Sequence, residues 1–177
     1  MNPRISPGLL LIAGASTTSL AAQAHPHFQA ELRGDFAASS SGTAEFGTIR
    51  DPDGTSAAFV VSLGVCDQQG AILFTRRTGT PLGVGRYLIS ATAEGGDELL
   101  ALILPGSATR PTGTFRGTSG LLVITAASDR LMTGRFQLDG IGLLASDDRR
   151  EDRHVRVAGS FSATAKSSSL SVCEDGK

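Results

Sequence analysis

The side chains of this sequence best placed to do chemistry are two histidines near its start, in the run His25-Pro26-His27. If a leader is removed after Ala24, the free amine and the imidazole of His25 can chelate Cu(II). A second imidazole, from His27 or His154, would complete a three-nitrogen site. Pro26 has no N–H, which blocks the other amino-terminal copper mode, because that mode uses deprotonated amides. The alternative interpretation is an exposed segment without a ligand.

The other reactive side chains do not form a recognisable catalytic pattern. Asp51, Asp53 and Gly54 look like the start of a calcium loop. The twelfth position of that loop is Ser62, which cannot supply the bidentate carboxylate that calcium needs there. Acids and arginines alternate in residues 146–153, as is typical of a solvated loop rather than of paired catalytic carboxylates. We therefore expect no catalytic residues and a protein that is not an enzyme.

The first residues predict the compartment. Arg4 gives a positive start, residues 9–13 form a short apolar core, and Ala22-Gln23-Ala24 has the small-x-small form that a signal peptidase accepts. Residues 1–24 are therefore interpreted as a signal peptide, since the apolar run is too short to span a bilayer. This predicts a secreted or periplasmic protein with no integral membrane segment after cleavage.

The two cysteines suggest how the mature chain is organised. Cys66 and Cys173 form an even count in an exported chain, so a disulfide between them is the first interpretation. The alternative is two thiols that lie too far apart to meet. We predict one domain over residues 25–166 and a polar C-terminal tail over residues 167–177, which this bond would tie to the domain.

The composition excludes some classes of partner. The net charge of −1 does not suit a protein that binds nucleic acid. Aromatic residues make up 5% of the chain, with no tryptophan, which lowers the chance of a stacking surface for sugars. The 22 glycines suit short strands joined by tight turns. The expected partner is an unknown envelope or extracellular component.

Hydrophobic residues recur at every second position through much of the mature chain. This period of two is clear in residues 28–36, 131–138 and 155–165, and it predicts half-buried β-strands. Residues 58–65 are almost continuously apolar, which predicts a strand covered on both faces. We interpret residues 37–41 as a turn and residues 78–85 as a loop. The expected fold is all-β: a single antiparallel β-sandwich of about nine or ten strands, with a closed β-barrel as the alternative.

Four glycine-containing runs of the mature chain form a recognisable set: residues 79–87 (GTPLGVGRY), 120–125 (GLLVIT), 134–138 (GRFQL) and 155–163 (VRVAGSFSA). These runs resemble a broad group of exported bacterial all-β domains of unknown function. The resemblance implies the same fold and supplies no active site, because the group has no assigned chemistry. Many of its members carry a lipid anchor, whereas no cysteine lies near the predicted cleavage site here.

Three functions follow as hypotheses. The first is an exported, non-enzymatic binding or structural module whose ligand the sequence does not specify. The second is a periplasmic copper-binding protein that uses His25. The third is a β-barrel carrier of a small apolar ligand, which requires an internal cavity. The side chains expected to line that cavity are Phe28, Phe36, Phe136 and Phe161.

Overall fold

The computed structural model describes residues 26–50, 53–54, 57–64, 70–93, 97–107, 110–146 and 152–166. Within these ranges the chain forms strands and no helix, so that none of the described residues belongs to a helix able to cross a membrane. The strands are β1 (His27–Gly34), β2 (Ala38–Gly42), β3 (Ala44–Arg50), β4 (Ala57–Leu63), β5 (Ala71–Arg76), β6 (Gly85–Ser90), β7 (Glu98–Leu104), β8 (Gly106–Ser107), β9 (Arg110–Pro111), β10 (Gly113–Ala127), β11 (Leu131–Leu144) and β12 (Arg153–Ala165).

Ten of the strands form one sheet that curls into a ring-like shape. Its order is β11-β10-β6-β7-β5-β4-β3-β12-β1-β2. β11 also pairs with β12, so the first strand of this order is hydrogen-bonded to the eighth. The pairings are antiparallel except for β3 with β12 and β6 with β7. β8 and β9 form a separate two-stranded hairpin. The prediction of an all-β, antiparallel fold of about nine or ten strands is thus confirmed, with the ten strands joined in one mostly antiparallel sheet.

One hydrophobic core fills the inside of this curled sheet. Seven of the eight phenylalanines are buried and the eighth, Phe36, packs against the same cluster. The alternation predicted from the sequence places them there, because β1, β11 and β12 each turn every second side chain inward. β4 differs, since its residues from Phe59 to Leu63 are all buried, which confirms that this strand is covered on both faces.

A repeated Gly-x-Phe sequence explains how β11 and β12 pack. The two strands run antiparallel in a register that sets Gly134 opposite Phe161 and Phe136 opposite Gly159. A glycine leaves room for the aromatic ring that lies beside it on the neighbouring strand. A Cβ atom on Gly134 would lie 2.9 Å from Cε1 of Phe161, so the ring occupies the space that a side chain would take. Each strand therefore accommodates the ring of the other.

The turn predicted over residues 37–41 is wrong, because most of it belongs to β2. Serine-rich segments have low strand propensity, but pairing with β1 overrides it here. Ser40 lies opposite Ala30 and is buried, with its hydroxyl donating to the carbonyl oxygen of Gly70 at 3.3 Å. Tertiary contacts, and not local preference, therefore make this strand.

The loop predicted over residues 78–85 is confirmed up to the first residue of β6, and it is anchored to the core. Leu82 is buried within the hydrophobic cluster. The backbone N–H of Phe59 donates to the carbonyl oxygen of Thr78 at 3.0 Å, and the Tyr87 hydroxyl donates to that of Gly83 at 3.0 Å. These contacts fix the position of the chain where it enters β6.

Candidate functional site

The candidate site lies on the outer face of the sheet, where the side chains of four strands point away from the core. A shallow trough of about 450 Å³ crosses β6, β10, β11 and β12. Its floor is made of backbone and of short side chains on β12, and longer polar side chains stand at its sides. The larger side chains that line it on the outer face are Arg86, Leu121, Val123, Arg135, Gln137 and Asp139.

Two arginines face each other across this trough because of the strand register. Val123 on β10 lies opposite Arg86 on β6 and opposite Arg135 on β11. Neighbouring strands are about 4.8 Å apart, which sets the Cα atoms of the two arginines roughly 10 Å apart. Both side chains are exposed, and among the described residues neither has a partner in a hydrogen bond or an ion pair. Their guanidinium groups can therefore reach the same ligand.

The carboxylate that lines the trough, Asp139, and Glu31 farther along the same face are each paired with an arginine. Arg156 Nε donates to Asp139 Oδ1 at 2.9 Å, and Arg33 Nη2 donates to Glu31 Oε2 at 2.6 Å. The charges in these two pairs cancel locally. Arg86 and Arg135 therefore remain as uncompensated positive charges on this face.

A second trough of about 570 Å³ continues the first one across β12, β1 and β2. The two share Ala158 and Gly159, so they form one polar surface. Gln29 and Ser160 lie opposite each other in it, and Ser160 is also the register partner of Arg135. Hydrogen-bonding groups thus extend from the arginines along the row of strands, which suits an elongated ligand.

The chemistry available here is the binding of an anion. A guanidinium is planar, stays charged at all relevant pH values and matches carboxylate, phosphate and sulfate oxygens with two parallel hydrogen bonds. The sequence interpretation missed Arg86 and Arg135 as site residues. Alternation does indicate that each points outward, but only the pairing of β6, β10 and β11 brings them together.

The structure separates two of the histidines predicted as copper ligands. His27 lies opposite Ser162 near one end of β12, whereas His154 lies near the other end of that strand. Eight residues of extended chain place these positions about 27 Å apart. His27 and His154 therefore cannot share an ion, and at most one of them can join His25. His25 lies outside the described residues, so the copper site stays a prediction.

A metal site other than the predicted copper site would need its own cluster of ligand side chains. Within the described ranges, no three His, Cys, Asp or Glu side chains come together as metal ligands would. His154 lies beside β1, and its backbone N–H donates to Asp35 Oδ2 at 2.8 Å. Asp53 and Gly54 lie in an exposed turn.

Cys66 and Cys173 both lie outside the described residues, and the disulfide stays a prediction. The segments that lead to them start from neighbouring strands. β4 ends at Leu63, opposite Ala44 on β3. After β12, the backbone N–H of Lys166 donates to the carbonyl oxygen of Phe46 on β3 at 2.9 Å.

Asp139→Asn provides a first test of the charge arrangement around the trough. The Arg156–Asp139 pair is at least half exposed, so its loss should change the free energy of unfolding by less than about 1 kcal/mol. Because the substitution releases Arg156, affinity for a soluble polyanion such as dextran sulfate should rise. Urea denaturation and biosensor titration measure the two quantities. Weaker polyanion binding in this variant would contradict the charge assignment.

Comparison with known proteins gives no indication of function, so the function has to be inferred from the site itself. No family model matches the sequence, and no match was found among the curated proteins or the solved structures.

Proposed function

We propose that this chain is an exported, non-enzymatic binding module that holds an anionic ligand on the outer face of β6, β10, β11 and β12. The observation that carries the proposal is the pair Arg86 and Arg135, which lie across one trough without a counter-ion. Two exposed cations on one face create a local positive potential that attracts an anionic ligand, even though the net charge of the protein is −1. Export is supported by residues 1–24.

The shape and composition of the surface narrow the class of ligand. The arginine trough continues into the polar trough of β12, β1 and β2, so that a chain-like molecule can lie across several strands. Exposed aromatic rings are scarce, and recognition would rest on charge and hydrogen bonds rather than on stacking. An elongated molecule with carboxylate, sulfate or phosphate groups fits these conditions.

The filled core counts against the hypothesis of an internal apolar carrier. Phe28, Phe136 and Phe161 are each at most 4% exposed and belong to one packed cluster. The rings of Phe74 and Phe136 make an edge contact, with centroids 5.1 Å apart, and Phe36 stacks on Phe115 at 6.5 Å. The rings proposed to line a cavity are thus packed against other side chains.

Removing both arginine charges tests the proposal. The double variant Arg86→Gln, Arg135→Gln should bind dextran sulfate and polygalacturonate at least tenfold more weakly, because each lost charge removes a charge-assisted contact. Its salt dependence should also become shallower, since fewer ions are displaced on binding. Biosensor titration at several salt concentrations measures both effects, with neutral dextran as the reference polymer.

The matched control removes two other exposed arginines. Arg50→Gln with Arg77→Gln makes the same change in net charge at positions outside the arginine trough. We expect this control to retain most of the affinity. Equal losses in the two double variants would mean that net charge alone drives binding, and the proposed site would then be rejected.

A further inference from the structure

Two protruding apolar side chains flank one of the trough arginines. Val84 is 67% exposed and Leu88 is 61% exposed, and they are the most exposed large hydrophobic residues in the described ranges. They lie two residues before and two residues after Arg86. A soluble anion gives no reason to keep such side chains in water, so they suggest an additional, apolar contact.

The local structure holds these side chains outward. Ile89 is buried in the core and Tyr87 packs against it, which turns Arg86 and Leu88 to the opposite face of β6. The hydrogen bond from the Tyr87 hydroxyl to the carbonyl oxygen of Gly83 fixes the turn that carries Val84. The protrusion is therefore built into the fold and does not depend on a mobile loop.

The neighbouring strands extend this surface, which we call the β6 patch. Leu121 lies opposite Leu88, and Val123 lies between the two arginines. The adjacent acid, Glu98, lies opposite Leu88 on β7, and its Oε2 accepts a hydrogen bond from Ser90 Oγ at 2.9 Å. The β6 patch thus combines unpaired cations with partly exposed apolar groups. It consists of Val84, Arg86, Leu88, Leu121, Val123 and Arg135.

We propose that the β6 patch docks this protein on the surface of a bilayer that contains anionic lipids. The guanidinium groups would bind lipid phosphates, while Val84 and Leu88 enter the region between the headgroups and the acyl chains. Charge complementarity identifies this occupant, since the patch has two cations beside apolar side chains, and the adjoining acids Asp139 and Glu98 each accept a hydrogen bond from a neighbouring side chain. The inference rests on the proposed function, because it uses the same two arginines, and it adds the lipid surface as their target.

Vesicle co-sedimentation of the purified protein tests this inference. One set of vesicles contains phosphatidylcholine alone and the other contains 30% phosphatidylglycerol. We expect the protein to bind the anionic set preferentially. The double variant Arg86→Gln, Arg135→Gln should bind it about 25-fold more weakly, at about fivefold for each arginine near the surface.

The decisive variant is Val84→Ser with Leu88→Ser. We expect it to lose at least tenfold in affinity for the anionic vesicles and to keep its affinity for dextran sulfate, because the soluble polymer needs only the arginines. The matched control is Leu102→Ser with Leu143→Ser, which removes two exposed leucines outside the β6 patch and should bind vesicles normally.

The outcomes separate this inference from the proposed function. If the wild-type protein binds dextran sulfate but not anionic vesicles, lipid docking is overturned and the anion site stands. If the Val84→Ser, Leu88→Ser variant binds vesicles as well as the wild type, the apolar contact is absent and lipid docking is again overturned. If the protein binds neither the polymers nor the vesicles, both proposals fail.

Discussion

Replacing Phe161 with alanine is expected to lower the free energy of unfolding by about 3–5 kcal/mol. Its ring is 4% exposed and lies between Phe28 on β1 and Gly134 on β11. Removing it leaves a cavity beside Gly134, which has no side chain to fill the space, so that little relaxation can reduce the cost. Urea denaturation followed by circular dichroism gives the change.

Two further variants make this result specific. Phe161→Leu keeps most of the apolar volume and should cost clearly less than Phe161→Ala. Val84→Ala truncates a side chain that is 67% exposed and should change the free energy of unfolding by less than about 0.5 kcal/mol. A loss below about 1 kcal/mol for Phe161→Ala would mean that the inner and outer faces of β12 are exchanged.

Gly159→Val is expected to destabilise the fold by about 3 kcal/mol or more, because it adds volume where a ring already lies. A Cβ atom at Gly159 would approach Cζ of Phe136 to 2.6 Å and would come closer still to the carbonyl oxygen of Gln29. The backbone oxygen cannot move without disturbing the pairing of β1 with β12. Thermal and urea unfolding of the purified variant measure the effect.

Gly83→Val is the matched control for this substitution. A Cβ atom at Gly83 would have no neighbour within 4 Å. The same addition of volume should therefore change stability little, and the hydrogen bond from Tyr87 uses only the backbone oxygen of Gly83. If both valine variants unfold at the same urea concentration, the ring of Phe136 does not occupy the space beside Gly159.

The faces of the long strands could be predicted from the sequence because alternation is a local signal. The spacing predicts that Phe28, Phe136 and Phe161 point to the inside of the fold, and all three are buried in its core. A strand has a period of two residues, so one well-placed apolar residue fixes the direction of its neighbours. The absence of helix in the described ranges follows from the same pattern.

Properties that depend on strand pairing could not be predicted in this way. Ser40 lies in a run whose composition favours a turn, and only its position beside β1 makes it part of a strand. Arg86 and Arg135 are 49 positions apart in the sequence, and Val123 brings them together only because β10 pairs on both sides. Local alternation shows the face to which a side chain points but not the order of strands in the sheet, and so it could not reveal the site.

The position of β12 has a consequence for when the chain can fold. This strand pairs with β11, β1 and β3, although it follows all of them in the sequence. β11 directly precedes β12, but β1 and β3 lie far away in the sequence, and contacts with them form slowly because a long loop must close first. Until residues 153–165 are present, those three strands lack a common neighbour. Folding of this sheet therefore has to wait until almost the whole described region has been synthesised, so that shorter nascent chains lack the strand that joins its parts.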